Sequence, residues 1–264
     1  MISIRDLKCA YNGKDVVVHI KSLDIPPGEF VGLLSVSGGG KSTTLETLGL
    51  MNKTFLPGST VTLQPDADGP AYDYETLWKN ANAKEIAAVR SRYFSFIFQR
   101  TNLMPNFTAY ENICITQMLQ GKSMAEATTH AREVMALMGL KKVDEAKKAH
   151  ELSGGEQQRV AFVRAITPDF RIIFGDEPTG NLDEENAQAL MGKLHDKVKE
   201  QSRTAVIVSH DLDLISRYAD RLIVLQKRHK TGECFPEHIF RCDTDSTRMR
   251  TWRDHEGQPV NDLT

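Results

Sequence analysis

Phe30-Val31-Gly32-Leu33-Leu34-Ser35-Val36-Ser37-Gly38-Gly39-Gly40-Lys41-Ser42-Thr43 sets the fold class. Phe30–Leu34 is an apolar strand candidate, a glycine-rich loop follows, and a helix is expected from about Lys41 to Met51. A strand, a glycine turn and a helix in that order open an α/β nucleotide-binding fold. Glycines let backbone N–H groups curl around phosphate oxygens, and the helix N-terminus adds partial positive charge. In such a loop Lys41 reaches the β- and γ-phosphates, the Ser42 hydroxyl holds Mg²⁺, and Thr43 lies near the α-phosphate. Ser35 stands where the pattern Gly-x-x-x-x-Gly-Lys-Ser has glycine. A serine restricts φ, so a strained or differently shaped loop is expected there.

Working outward, Ile2–Leu7 and Val16–Ile20 read as short strands, and Pro26, Pro27 and Gly28 as a turn. Residues 53–75 are loop-rich, with one strand at Thr60–Leu63. A helix over about 81–92 leads into the aromatic strand 93–98, and 108–149 read as helices. Ser123 and Glu126 have capping-box spacing. Behind them Ala127, Ala131, Val134, Met135, Leu137 and Met138 form a core stripe. From Ser153 helices alternate with the strands Ile172–Phe174, Ala205–Val208 and Leu222–Leu225, which implies a mostly parallel sheet. Residues 227–264 are polar and poorly periodic.

Composition excludes several classes. With 33 Lys and Arg against 35 Asp and Glu in 264 residues, no global field marks a nucleic-acid or polybasic membrane binder. The four cysteines are scattered, unlike a secreted disulfide scaffold. The N-terminal residues lack the apolar core of a signal peptide, and no run of 18 apolar residues spans a bilayer. A cytoplasmic protein is expected, with any membrane part on another chain.

Two further stretches carry chemistry. Ile172-Ile173-Phe174-Gly175-Asp176-Glu177 is an apolar strand ending in two carboxylates, and ligands in open α/β sheets bind beyond such strand ends. Asp176 is the candidate Mg²⁺ ligand and Glu177 the candidate general base for an attacking water. In Leu152-Ser153-Gly154-Gly155-Glu156-Gln157-Gln158-Arg159, Ser153 and Glu156 form a capping box and the glycines leave the helix start bare for an anion. One mononucleotide site rarely needs two such helix starts. The second is therefore expected to serve the nucleotide of a partner subunit.

Together these residues resemble the nucleotide-binding domain of ABC ATPases over roughly residues 1–226. Ser37–Thr43 resembles the phosphate loop of that family, Gln99 its Q-loop, Leu152–Val160 its signature motif, Ile172–Asp183 its acidic strand and D-loop, and Val208–Asp211 its His switch. The resemblance implies an α/β P-loop cassette with a mostly parallel core sheet, an N-terminal antiparallel β subdomain and a helical subdomain inserted at about 100–152. The cassette would occupy residues 1–228, with a C-terminal hairpin and polar tail over 229–264. The resemblance also implies that Tyr11 stacks on adenine, that Ser35, Ser37, Gly38, Gly39 and Gly40 join Lys41, Ser42 and Thr43 around the phosphates, and that Gln99 contacts Mg²⁺ and the attacking water. His210 would contact the γ-phosphate. Ser153, Gly154 and Gly155 would bind the γ-phosphate of the opposite subunit, and Asp183 would communicate across the dimer while capping its helix.

Asn102-Leu103-Met104-Pro105-Asn106-Phe107-Thr108-Ala109-Tyr110-Glu111-Asn112 resembles the lipoprotein-release, macrolide-efflux and cell-division subgroup. Its members pair with permeases and transmit motion mechanically. The implied protein is an ATPase that takes ATP and Mg²⁺. It forms a homodimer and drives a separate permease from the cytoplasmic face of the inner membrane, with no nucleic acid as partner. The alternative is a soluble or regulatory ABC ATPase not coupled to transport. The DNA-repair type is disfavoured because only about 110 residues separate Lys41 from Ser153, too few for its long coiled coil. His229, Cys234, His238 and Cys242 are acceptable zinc ligands, but their spacing matches no standard site and a plain β-hairpin is the stronger reading.

Overall fold

A computed structural model describes residues 1–35, 39–138, 140, 147–180, 182–227, 234–244, 250–260 and 263. Its parallel half contains β3 (Phe30–Ser35), β6 (Phe94–Ile97), β7 (Ile172–Asp176), β8 (Thr204–Val208) and β9 (Arg221–Lys227), in the spatial order β9-β3-β8-β7-β6. Successive side chains of a strand point to opposite faces. Ile173, Ala205 and Ile207 accordingly enter one core, and Ile172, Phe174, Val206 and Val208 enter the other. Both faces are covered, which is why these strands read as continuous apolar runs.

One face carries α4 (Ala109–Leu119), α5 (Met124–Leu137), α6 (Gly154–Ile166), α7 (Glu184–Glu200) and α8 (Leu212–Tyr218). The other carries α1 (Lys41–Leu48), α2 (Tyr74–Asn80) and α3 (Ala83–Tyr93), with an antiparallel extension of β1 (Ile2–Cys9), β2 (Val18–Ile25), β4 (Thr60–Leu63) and β5 (Tyr72–Asp73). The helix expected over 81–92 is α3, started by a full capping box at Asn82, and a further helix, α2, capped by Asp73, precedes it where no helix was expected. The helix expected to reach Met51 ends at Leu48, with Leu50 at φ 56°. Ser123 and Glu126 form the expected box, and Ala127, Ala131, Val134, Met135 and Met138 are buried. The side chain of Leu137 lies outside the described residues.

The C-terminal region is more regular than its composition suggests. β10 (Cys234–Thr244) pairs antiparallel with β9, and its first residue meets Val18 of β2, so it joins the two halves of the sheet. β11 (Arg250–Arg253) and β12 (Pro259–Val260) continue outward. β9 and β10 form a hairpin of the kind expected after Leu222–Leu225, with a register shift between Pro236 and His238 that breaks its period-2 pattern. The expected boundary at 228/229 falls outside the described residues, as does His229. Cys234 and Cys242 stand eight residues apart in one extended strand, about 26 Å, so they cannot share a zinc ion. Among the described residues no group of His, Cys, Asp and Glu could hold a metal.

Candidate active site

Sheet register brings the functional loops to one edge. Leu33 of β3 is level with Val208 of β8, Val208 with Asp176 of β7, and Gly175 of β7 with Ile97 of β6. The segments that follow these strands carry Gly39–Lys41, Ser209–His210, Glu177 and Gln99. All four therefore leave the carboxyl edge of the parallel sheet side by side.

Ser35 ends β3 in register with Leu225, an extended conformation open to any residue. The strain expected at Ser35 is therefore absent from its backbone. Ser37 and Gly38, expected phosphate-loop residues, lie outside the described residues, as does Val36. Gly39 is buried, and Gly40 caps α1 at φ 72°. A Cβ on Gly40 would overlap the Val18 methyl Cγ2, so both the backbone angle and the close approach of β2 demand glycine. Lys41 is the first residue of α1, and Ser42 the second.

The Ser42 hydroxyl donates to Asp176 Oδ2 at 2.7 Å, across 134 residues of chain. Tyr11 is 65% exposed and therefore not a core aromatic. Its phenol instead shares a 2.8 Å hydrogen bond with Thr43 Oγ1 on the first turn of α1. Glu177 follows Asp176 with a left-handed φ of 49°, and its N–H donates to Val208 O at 3.0 Å. That turn swings its side chain toward His210, whose Nδ1 lies 2.7 Å from Glu177 Oε2. The His210 backbone N–H donates to the same oxygen at 3.4 Å. Gln99 is exposed on the bend after β6, beside the end of β7.

The second candidate helix start for an anion is that of α6. Ser153 caps it, with Glu156 N–H donating to Ser153 Oγ at 3.3 Å and Ser153 N–H donating back to Glu156 at 2.8 Å. These hydrogen bonds from the cap hold the Glu156 carboxyl below its ordinary range. Ser153 and Gly154 are exposed, and a Cβ at Gly154 would meet nothing within 4 Å. Asp183 caps α7 by accepting from Asn186 N–H at 2.9 Å, which lowers its carboxyl in the same way.

A groove of about 400 Å³ lies beside the Glu177–His210 pair, lined by Gly180, Glu184, Asp211 and Asp213 among others. None of its lining residues belongs to α1, so it lies apart from the helix that follows the glycine-rich loop.

Three positioning side chains escaped the sequence reading. Arg164 of α6 donates to the carbonyls of Asn102 and Thr101 at 2.8 and 2.7 Å, clamping the segment after Gln99. Burial pushes this guanidinium below its ordinary value. Asn112, fully buried, accepts from Met104 N–H and donates to the carbonyls of Met104, Phe107 and Thr108. It folds the loop that leaves Met104 and Phe107 exposed. Gln158 of α6, also fully buried, donates to Pro178 O at 2.7 Å. Each lies in a helix whose period marks it only as inward-facing. Nothing local names the carbonyl it will meet.

Residues 18–180, more than half of the chain, match the family model described as ABC transporter. The chain belongs to the ABC transporter family. It is 34% identical over 232 residues to the lipoprotein-releasing system ATP-binding protein LolD 2 of Caulobacter vibrioides, covering 87% of this chain and 96% of the relative. It is 36% identical over 224 residues to LolD of Bacteroides thetaiotaomicron, covering 84% and 95%. Among solved structures, the dimeric form of MJ0796, a bacterial ABC transporter cassette, superposes with a TM-score of 0.76 at 30% identity, covering 91% of this chain and 98% of the other. A post-hydrolysis state of the same ABC transporter cassette, bound to ADP and Pi, gives 0.75 at 29% identity.

Proposed function

We propose that this ABC-type ATPase closes as a homodimer around two Mg-ATP and uses the closure to drive a separate membrane permease. The observation that carries the reading is the division of anion-binding parts. Ser42, Asp176, Glu177 and His210 gather at one sheet edge, while the capped start of α6 opens to solvent with no side chain over Gly154. A second copy supplies what each site lacks.

The Ser42 hydroxyl and Asp176 carboxylate are hard oxygen donors held together at 2.7 Å beside a helix N-terminus. That donor set fits Mg²⁺, which prefers a carboxylate, phosphate oxygens and water. Ser42 and Asp176, with Gln99 from the neighbouring strand end, would hold the ion, which would supply neutralisation of the charge that develops during phosphoryl transfer.

Tyr11 provides the face on which adenine stacks. The phosphate-loop residues Ser35, Ser37, Gly38, Gly39 and Gly40, with Lys41 and Thr43, hold the phosphates. Glu177 orients the attacking water and accepts its proton, and His210 contacts the γ-phosphate. Ser153, Gly154 and Gly155 of one copy hold the γ-phosphate bound by the other, and Asp183 faces the shared interface. Phosphoryl transfer needs mostly positioning and charge stabilisation, and the two helix starts supply both. Loss of the bridging phosphate then loosens the dimer.

Two relatives are named as ATP-binding proteins of a lipoprotein-releasing system. No described helix of this chain is long and apolar enough to cross a membrane. In this reading the permease is a separate chain, met at the cytoplasmic face of the membrane. The loop held by Arg164 and Asn112, with Met104 and Phe107 exposed, suits a helix of such a partner. Residues 1–228 form the cassette in this reading and 229–264 its C-terminal appendage.

The test is Glu177→Gln. Turnover should fall about 10²–10⁴-fold, and the variant should become dimeric in Mg-ATP, as read by light scattering. A variant that hydrolyses ATP at the wild-type rate, or stays monomeric with saturating Mg-ATP, would overturn the proposal.

A further inference from the structure

Gln158 lies fully buried in the second turn of α6, five residues after the cap Ser153. Its Nε2 donates to Pro178 O at 2.7 Å. The amide orientation is fixed by chemistry, since a carbonyl only accepts and the nitrogen must face it. The other half of the amide is different. Oε1 is buried with no hydrogen-bond partner among the described residues.

An amide with one end unpaired in a protein core is a poor choice for stability. Methionine has the same length and would remove the orphaned oxygen at the cost of the bond to Pro178 O. Burial energetics therefore gives little reason for glutamine here. The reason lies in what the bond joins.

Pro178 follows Glu177, whose left-handed backbone is set by two bonds: its N–H to Val208 O at 3.0 Å and its carbonyl accepting from Gly180 N–H at 3.3 Å. Proline has no N–H, so its carbonyl is the only main-chain polar group through which that residue can be held. At the other end, Gln158 is four residues from Gly154, about 6 Å along a rigid helix axis. A Cβ on Gly155 would stand 3.9 Å from Leu182 Cδ2, so the helix start and the segment after Pro178 also pack together.

We infer that Gln158 is a positioning residue that ties the helix start serving the partner's nucleotide to the base Glu177 serving its own. The inference rests on the dimeric reading above. An anion seated on the N-terminus of α6 orders that helix, the buried amide carries the order to Pro178, and the Glu177 side chain is held in line. Hydrolysis in one site thereby depends on occupancy of the other without any contact between the two nucleotides.

The experiment uses the full chain with Gln158→Met, measuring kcat, KM for ATP and melting temperature. The same substitution is placed in the Glu177→Gln background to follow Mg-ATP-dependent dimerisation. The expected result is a kcat about 10-fold lower, KM within two-fold of wild type, unchanged dimerisation and a melting temperature within a few degrees. A residue that only stabilised the fold would instead lower the melting temperature and leave kcat per folded protein unchanged. If Gln158→Met melts much earlier, Gln158→Asn carries the test, because it keeps a polar amide yet falls short of Pro178. Wild-type kcat in the well-folded variant, or loss of dimerisation in the Glu177→Gln background, overturns the inference. Failure of Glu177→Gln alone to dimerise would overturn the dimeric reading instead, so the two failures are separable.

Discussion

His210 Nδ1 sits 2.7 Å from Glu177 Oε2, joining the residues after two neighbouring parallel strands into one unit. The carboxylate is only 12% exposed while the imidazole is 73% exposed. Glu177 is thus held from the protein side, and His210 covers it from the solvent side. Residues that act as a unit lose activity non-additively. His210→Ala should lower kcat about 10²-fold or more, and adding it to Glu177→Gln should lower turnover little further. Steady-state ATPase assays of the two single variants and the double decide this; multiplicative losses would show the residues act independently.

The bond between Tyr11 and Thr43 makes a different prediction. An aromatic ring 65% exposed has little packing to hold it, and its anchor is the 2.8 Å bond to Thr43 Oγ1. Tyr11→Phe keeps the stacking face but frees the ring, at about 0.5–1.5 kcal/mol for one hydrogen bond. ATP affinity should fall about 2- to 10-fold with kcat unchanged. Thr43→Val should lose at least as much, since Thr43 also holds the phosphates, and the double variant should be no worse than Thr43→Val alone. Nucleotide titration of the four proteins gives the coupling energy, and additive losses would exclude the anchoring role.

Two half-buried histidines predict how stability responds to acid. Burial pushes His130 and His195 below the ordinary histidine value, the neighbouring Lys122 and Lys197 adding to the effect at His130 and Lys199 at His195. His130 Nδ1 also contacts Gln117 Oε1 at 3.0 Å inside the α4–α5 pair. A lowered folded-state value means the unfolded chain takes up a proton first as pH falls. The stability is then complete above about pH 6.5 and is lost as pH drops through the depressed values. The melting temperature should be lower at about pH 5.5 than at about 7.5, and His130→Gln should remove part of the difference. Identical melting curves for wild type and variant at both pH values would contradict the assignment.

The C-terminal strands brace the switch helix. Arg250 donates to Arg217 O at 2.8 Å and to Ala219 O, and its guanidinium lies 5.7 Å from the centre of the Trp252 ring. Both carbonyls end α8, whose cap Asp211 directly follows His210. Arg250→Ala should cost about 1 kcal/mol and lower the melting temperature a few degrees. Retention of the wild-type melting temperature would show that the brace carries no weight.

How much of this was legible beforehand depends on where each signal resides. Lys41, Ser42, Asp176 and His210 could be singled out as candidates because a glycine-rich loop before a helix, an acidic strand end and a histidine after a strand are each contained in a few consecutive residues. Local steric and hydrogen-bonding rules shape such segments without outside help. The capping boxes at Ser123 and Ser153 were readable for the same reason. That Ser35 carries no backbone strain was not readable, because strand pairing with Leu225, distant in sequence, holds it extended.

The amino-acid order alone determined an alternating α/β cassette, two candidate helix starts for anions and the chemical type of each candidate group. Tertiary structure decided which of those groups meet. Ser42 finds Asp176 across 134 residues, Tyr11 finds Thr43, Gln158 finds Pro178, and β10 enters the sheet between β9 and β2. Such pairings follow from strand register and helix packing. These are set by burying two cores at once, a constraint no short stretch of sequence carries.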